Sequence, residues 1–176
     1  MIRSLTPQSA AADGNELAAE FRWEPIPEDR IHVRKILDSN AIFYPYEVDV
    51  AVELVEDRLD QGPESDYHFI FLEAEGEAIG YTCYGPIYMT DNRFDLYWIA
   101  VREDLRGLGL GHILMEETEK KVAEMNGRFL FVETSGKDDY LKTRTFYRKI
   151  GYQEVARIPH FYKDHDDKII FMKKIV

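Results

Sequence analysis

An apolar segment followed by alternating glycines constrains this chain more than any other part of its sequence. Residues 94–101 are apolar nearly throughout, which predicts a strand that is covered on both faces and central in its sheet. The stretch 106–111, Arg-Gly-Leu-Gly-Leu-Gly, follows shortly afterwards and precedes an apolar helix. Glycines permit positive φ, so successive backbone N–H groups can converge on one point beside a helix start. This arrangement predicts a phosphate site that needs no net positive charge.

The spacing of these glycines argues against two common nucleotide-binding motifs. The dinucleotide fingerprint places its first glycine directly after a strand, whereas Gly107 follows several residues later. The P-loop ends in Gly-Lys-Ser or Gly-Lys-Thr, and the chain lacks both sequences. A tight strand-to-helix connection that binds no ligand stays open on the spacing alone.

Composition narrows the class of protein further. The chain has 176 residues and a formal net charge of −11, which weighs against a nucleic-acid surface built from clustered lysine and arginine. Its single cysteine, Cys83, excludes an internal disulfide and a cysteine-rich metal site. No long run of uncharged apolar residues predicts a membrane span, and the N-terminus does not read as a secretory signal. We therefore expect a cytoplasmic protein.

The order of the hydrophobic patterns predicts the fold class. A flexible tail is expected over residues 1–20 and one domain over residues 21–176. Within that domain we expect a strand, two helices, three strands, a helix, a strand, a helix, and two final strands around a loop at 160–167. This order predicts a single-domain α/β (α+β) fold, with a mixed, largely antiparallel sheet of about seven strands and helices on both faces.

Two segments of the chain resemble signatures of one enzyme family. Arg106, Gly109 and Gly111 fit the motif Gln/Arg-x-x-Gly-x-Gly/Ala. Residues 146–152, Phe-Tyr-Arg-Lys-Ile-Gly-Tyr, fit a second pattern of an apolar residue, Tyr, three residues, Gly and an apolar residue. Both patterns are similar to those of the GCN5-related N-acetyltransferase (GNAT) superfamily, and they stand in its order. The resemblance covers roughly residues 22–176 and implies a GNAT-like fold.

The resemblance implies an N-acetyltransferase with acetyl-CoA as cosubstrate and without a metal. An acetyl group would pass directly to a primary amine of a small molecule or peptide in a ternary complex. The backbone of the glycine stretch would hold the pyrophosphate, and the strand before it would pair with the pantetheine arm. Neither nucleic acid nor membrane is an expected partner, and a homodimer stays open because many members of the family form dimers. The cofactor-binding residues expected on this basis are Ile99, Val101, Arg106, Gly107, Leu108, Gly109, Leu110 and Gly111.

The resemblance also implies catalytic residues. Tyr147 matches the residue that protonates the thiolate leaving group, and a phenol is protonated at neutral pH. Packing on a helix face is the alternative for this side chain. Glu133, at the end of a predicted strand, is the expected base, because burial there would raise its pKa. Asp95, His160 and water stay open for that role. Tyr140 stands where many members carry asparagine at the start of the helix.

Two further functions remain open on the sequence. A non-catalytic acyl-CoA-binding regulatory module would need only the glycine turn, and Tyr147 argues against it. A transferase acting on charged tRNA is disfavoured by the acidic composition.

Overall fold

The computed structural model of the protein describes residues 3–4 and 18–176. The tail predicted over residues 1–20 therefore lies for the most part outside the described residues. β1 (Arg3–Ser4) pairs antiparallel with β2 (Glu20–Arg22), and β2 pairs antiparallel with the next strand along the chain. The first strand of the predicted domain is therefore present, although it is short.

The remaining elements follow the predicted order. Two helices, α1 (Asp29–Asp38) and α2 (Pro45–Gln61), precede β3 (His68–Ala74), β4 (Glu77–Pro86) and β5 (Arg93–Val101). After them come α3 (Leu110–Glu124), β6 (Phe129–Ser135), α4 (Leu141–Lys149), β7 (Gln153–Lys163) and β8 (Asp166–Lys174). Within the part of the chain that the structure describes, no helix is long and apolar enough to cross a membrane.

The strands form one sheet in the order β1-β2-β3-β4-β5-β6-β8-β7. β5 lies between β4 and β6, as its apolar sequence predicts. The β5–β6 pair is parallel, whereas the β2–β3, β3–β4, β6–β8 and β7–β8 pairs are antiparallel. The prediction of a mixed, largely antiparallel sheet of about seven strands is confirmed, and the additional strand is the two-residue β1.

Two compact units divide the fold. The first comprises Met1–Gly85 with Trp98–Thr118, and the second comprises Pro86–Tyr97 with Glu119–Val176. β5 contributes to both, because its first five residues belong to the second unit and its last four to the first.

Helices cover both faces of the sheet in the first unit. Tyr81 and Phe71 belong to a buried cluster with apolar residues of α1 and α2. Thr82, the next residue of β4, points to the opposite face, where its hydroxyl lies 2.9 Å from that of Thr118 in α3. Burying one such apolar side chain contributes roughly 1.5–3 kcal/mol, so this cluster is a main source of stability. Its helical members are Val33, Ile36, Leu37, Val48, Ala51 and Val55.

The second unit joins its helices to β8 through ring contacts and one lysine. The ring of Tyr147 in α4 lies 5.6 Å from that of Phe171 in β8, measured between centroids. Lys173 Nζ, also on β8, lies 2.7 Å from a carboxylate oxygen of Glu119 in α3. The same ammonium donates to the carbonyl oxygen of Ile150, just after α4, at 3.0 Å.

The last two strands are longer than the sequence predicts. The expected loop at 160–167 is wrong, because β7 continues through Lys163 and β8 begins at Asp166. His160 adopts a φ of 55°, and the register shifts between Ile158 and Lys163. The polar residues from His160 to Lys163 therefore belong to β7, and the irregular pairing there accommodates them. The Asp167 carboxylate stabilises this conformation by accepting the backbone N–H of His160 at 3.0 Å.

Candidate functional site

The glycine turn begins where a short 3-10 helix, Glu103–Leu105, ends after β5. Arg106 is extended, and Gly107 and Gly109 then adopt φ values of 86° and 79°. A Cβ atom at Gly107 would meet nothing within 4 Å, so the backbone conformation, and not a lack of space, requires glycine there. The prediction of positive φ holds at these two glycines.

Gly111 does not share that conformation. It lies in the first turn of α3, which begins at Leu110. The carbonyl of Gly109 accepts the N–H groups of His112 and Ile113 at 3.0 and 3.2 Å, which starts the helical pattern. The N–H groups that precede His112 in this first turn have no helical carbonyl before them and lie at the positive end of the helix dipole. Leu110 is buried and anchors the start of α3.

Arginine side chains beside the turn are held in local ion pairs. Arg106 lies 2.8 Å from Glu103, and Arg102 makes two bonds to Asp104 at 2.7 and 3.0 Å. The hydrogen bond and charge of Arg102 hold the pKa of Asp104 below its usual value. An anion at this turn would therefore depend mainly on backbone N–H groups, as the acidic composition suggests.

The end of β5 presents backbone groups on the edge away from β4. The Arg102 N–H donates to the carbonyl of Ile79 in β4 at 2.9 Å. The Val101 C=O shares that peptide plane and points the opposite way, because the peptide is trans and planar. Pairing of β5 with β6 runs from Arg93 to Leu96, so Val101 lies beyond it. The turn and the expected pantetheine-binding strand are thus contiguous in the first unit.

Tyr147 belongs to the second unit and lies in the last turn of α4. Its side chain is 3% exposed and contacts the rings of Phe146, Tyr152 and Phe171. Burial raises the pKa of Tyr147, so the phenol stays protonated throughout the neutral range. The ring of Tyr147 packs against its neighbours, as expected if the side chain were structural. Its hydroxyl nevertheless keeps the proton that a leaving-group acid needs.

A carboxylate cluster occupies three adjacent strands of the second unit. We use that name for Asp95 on β5, Glu133 on β6 and Lys168 on β8. Lys168 Nζ lies 2.5 Å from a Glu133 oxygen. The same ammonium lies 3.8 Å from the centroid of the Phe161 ring, a cation–π contact. Glu133 is therefore neutralised by a resident cation, although its side chain is 46% exposed.

Asp95 has a different environment in the same cluster. Its pKa is raised to about 6, mainly because burial disfavours the charged form, and further because Glu133 is nearby. The charge of Lys168 opposes this rise and is the smallest of the three effects. A carboxylate with this pKa is ionised at neutral pH and still accepts a proton readily.

His160 and Tyr140, which the sequence also brought into consideration, take part in local backbone structure. His160 is exposed, and its Nδ1 accepts the backbone N–H of His165 at 3.0 Å. Tyr140 closes a 3-10 helix, Asp138–Tyr140, immediately before α4. The loop between β6 and α4 is held by Arg144, which is buried and donates to the carbonyls of Ser135 and Lys137 at 2.7 and 2.6 Å.

The sequence alone does not single out Lys168 or Arg144, because both lie in ordinary strand and helix patterns. Lys168 meets Glu133 only through the pairing of β6 with β8, and Arg144 binds carbonyls seven and nine residues before it in the chain. Among residues 3–4 and 18–176, no group of three or more His, Cys, Asp or Glu side chains is arranged to hold a metal ion.

Comparisons with known proteins bear on the resemblance. Residues 32–152 match the family model described as the acetyltransferase (GNAT) family. A crystal structure of a proposed GNAT-family acetyltransferase from Desulfovibrio desulfuricans is 41% identical and superposes with a TM-score of 0.88. That match covers 90% of this chain and 100% of the other.

Two further matches are more distant. An uncharacterized N-acetyltransferase of Methanocaldococcus jannaschii is 29% identical over 109 residues, which span 60% of this chain and 65% of the relative. A structure of aminoglycoside 6′-N-acetyltransferase complexed with coenzyme A is 20% identical with a TM-score of 0.71. It covers 100% of this chain and 97% of its own, and this likeness shows the shared fold alone.

Proposed function

The chain belongs to the acetyltransferase (GNAT) family, and on that basis we propose that it transfers an acetyl group from acetyl-CoA to a primary amine of a small molecule or peptide. The glycine turn carries this proposal. Two glycines with positive φ lead directly into the first turn of α3, whose N–H groups suit the pyrophosphate of CoA. Coenzyme A bound to the aminoglycoside enzyme of the same fold supports this choice of ligand.

The proposed reaction is a direct attack. The amine nitrogen bonds to the thioester carbonyl carbon, and the carbon–sulfur bond breaks. The amine gives up a proton to a base, and the thiolate of CoA receives one from an acid. Direct attack is supported by the state of the only cysteine, Cys83, which is buried and whose pKa burial raises well above its usual value.

The carboxylate cluster is the proposed source of the base. Glu133, the base expected from sequence, is engaged in an ion pair with Lys168 at 2.5 Å. Asp95 has a pKa of about 6 for the reasons given above, which suits a base at neutral pH. We therefore assign the proton transfer to Asp95, whose pKa is raised mainly by burial and further by the neighbouring Glu133.

Tyr147 is the proposed acid. The motif at 146–152 supports this role, and burial keeps its phenol protonated throughout the neutral range. The cluster has two carboxylates against one ammonium, and the remaining negative charge favours an acceptor that arrives as an ammonium ion.

A thiol-release assay with acetyl-CoA tests the proposal. The panel should contain polyamines, amino acids, aminoglycosides and short peptides, with binding of CoA measured in parallel by calorimetry. We expect CoA binding and release of free thiol with at least one amine class. Absence of CoA binding would contradict the proposal at its root. CoA binding without turnover on any amine would favour the non-catalytic regulatory module instead.

A further inference from the structure

Asn40 carries a buried oxygen that the protein itself does not satisfy. The residue follows α1 and is 2% exposed. Its Nδ2 donates to the carbonyl of Ile36 at 2.6 Å and to that of Val101 at 3.2 Å. Its Oδ1 is buried and has no hydrogen-bond partner among the described residues. Such atoms are rare in native proteins, because a buried carbonyl oxygen without a donor loses its hydrogen bonds to water and gains none in return.

The side-chain amide of Asn40 lies beside the end of β5. Asn40 Nδ2 reaches the Val101 carbonyl, which faces away from β4 because the Arg102 N–H of the same peptide is bonded to Ile79. The side-chain amide therefore lies at the edge of β5 that extends past the pairing with β6. This edge is the one that the proposed function assigns to the pantetheine arm.

The neighbouring serine fixes the same connection to the start of the turn. Ser39 Oγ accepts the backbone N–H of Glu103 at 3.1 Å and donates to the carbonyl of Ile36 at 2.7 Å. Ser39 and Asn40 thus attach the chain after α1 to both sides of Arg102. Ser39 Oγ is satisfied by these contacts, whereas Asn40 Oδ1 is the one acceptor left over.

A bound acetyl-CoA could supply the N–H donor that Asn40 Oδ1 lacks. The pantetheine arm contains two secondary amides, each with one N–H, and an extended arm presents them to a strand edge as a neighbouring strand would. Val101 C=O is already engaged by Asn40, so the side-chain oxygen offers an unused acceptor next to it.

Resting on the proposed function, we propose that Asn40 Oδ1 accepts a hydrogen bond from a secondary amide N–H of the pantetheine arm of acetyl-CoA. Asn40 is then a cosubstrate-binding residue contributed by the connection between α1 and α2, outside both sequence motifs. It fixes the depth at which the arm lies along β5, and its donor side keeps the Val101 peptide in place.

Calorimetry with two ligands tests this assignment. One ligand is coenzyme A, and the other is 3′-phosphoadenosine 5′-diphosphate, its nucleotide end without the arm. We expect Asn40→Ala to weaken CoA binding about tenfold, as for the loss of one buried hydrogen bond, and to leave binding of the nucleotide within about twofold. Asn40→Ser serves in the same way if the alanine variant does not fold.

Ser39→Ala is the matched control. It removes a hydroxyl that accepts a hydrogen bond from Asn40 Nδ2 at 3.3 Å and from the Glu103 N–H, but it leaves the unpaired Oδ1 in place, so any general loosening should affect both ligands alike. Equal weakening of both ligands by the Asn40 variants, or native CoA affinity in them, would overturn the inference while leaving the proposed function intact. A native protein that binds neither ligand would overturn both.

Discussion

In the glycine turn the main chain supplies the groups that would bind a ligand, whereas in the carboxylate cluster side chains supply them. The arginines beside the turn are engaged by neighbouring carboxylates, and the conformation of Gly107 and Gly109 is what distinguishes the segment. In the cluster the backbone is ordinary strand, and the distinguishing features are the raised pKa of the half-buried Asp95 and the ion pair between Glu133 and Lys168. The first region should therefore respond to backbone changes, and the second to changes of charge and proton affinity.

The largest loss of activity should come from removing the hydroxyl of Tyr147 in the second unit. Tyr147→Phe keeps the ring contacts but removes the proposed acid, so kcat should fall about a hundredfold or more while CoA affinity stays native. Tyr152→Phe is the control, because its ring is also buried and lies 5.8 Å from that of Tyr147. Steady-state kinetics with the best amine measures both. Native turnover in Tyr147→Phe would rule out the acid role.

The next effect separates the two carboxylates. The native kcat/KM should fall below about pH 6, where Asp95 becomes protonated. Asp95→Asn should lower kcat/KM about a hundredfold at pH 8 and abolish that dependence. Glu133→Gln should keep most activity at pH 8 and move the fall to lower pH, because a charge that raises the pKa of Asp95 is gone and Lys168 loses its partner.

A pH profile of the three proteins decides between the carboxylates. The reverse pattern, with Glu133→Gln inactive and Asp95→Asn active, would return the base to the residue that the sequence suggested. Intact activity in both variants would make water the proton acceptor.

A smaller effect tests the backbone region. Gly107→Val should weaken CoA binding roughly 10- to 100-fold, because a β-branched residue at this φ costs about 1–3 kcal/mol of strain. Gly107→Asn is the matched variant, since asparagine tolerates positive φ and the Cβ has space. It should bind CoA within a few-fold of native, as measured by calorimetry. Equal losses in both variants would show that bulk, and not conformation, matters there.

The smallest effect is expected at Arg106. Its guanidinium is held 2.8 Å from Glu103, so Arg106→Ala should change CoA affinity by less than about threefold. A much larger loss would mean that the side chain leaves Glu103 for the ligand, and the contrast between the two regions would be weaker than the structure suggests.

The local parts of this structure could be predicted from sequence. The glycine turn depends only on neighbouring residues, and the apolar sequence of β5 predicts its central position in the sheet. The motif at 146–152 indicates Tyr147 as the candidate acid. The sequence does not tell which of the three glycines adopt positive φ, because Gly111, in the first turn of a helix, looks the same in sequence as Gly107 and Gly109.

The remaining features depend on pairing between distant segments. Asp95, Glu133 and Lys168 lie on three different strands, and only the register of β5, β6 and β8 brings them together. The extended β7–β8 hairpin depends on an irregularity at His160 that no local pattern signals. Asn40 reads as the end of a helix, and its contact with Val101 spans 61 residues.

The raised pKa of Asp95 also has a consequence for stability. The folded protein holds a proton on this carboxyl between about pH 4 and pH 6 that the unfolded chain has released, so stability declines as pH rises through that window. At neutral pH the ionised side chain opposes folding, and Asp95→Asn should melt at a higher temperature than the native protein. A laboratory selection for heat resistance alone would therefore tend to replace this residue, and thermostable descendants that lost it should be poor catalysts.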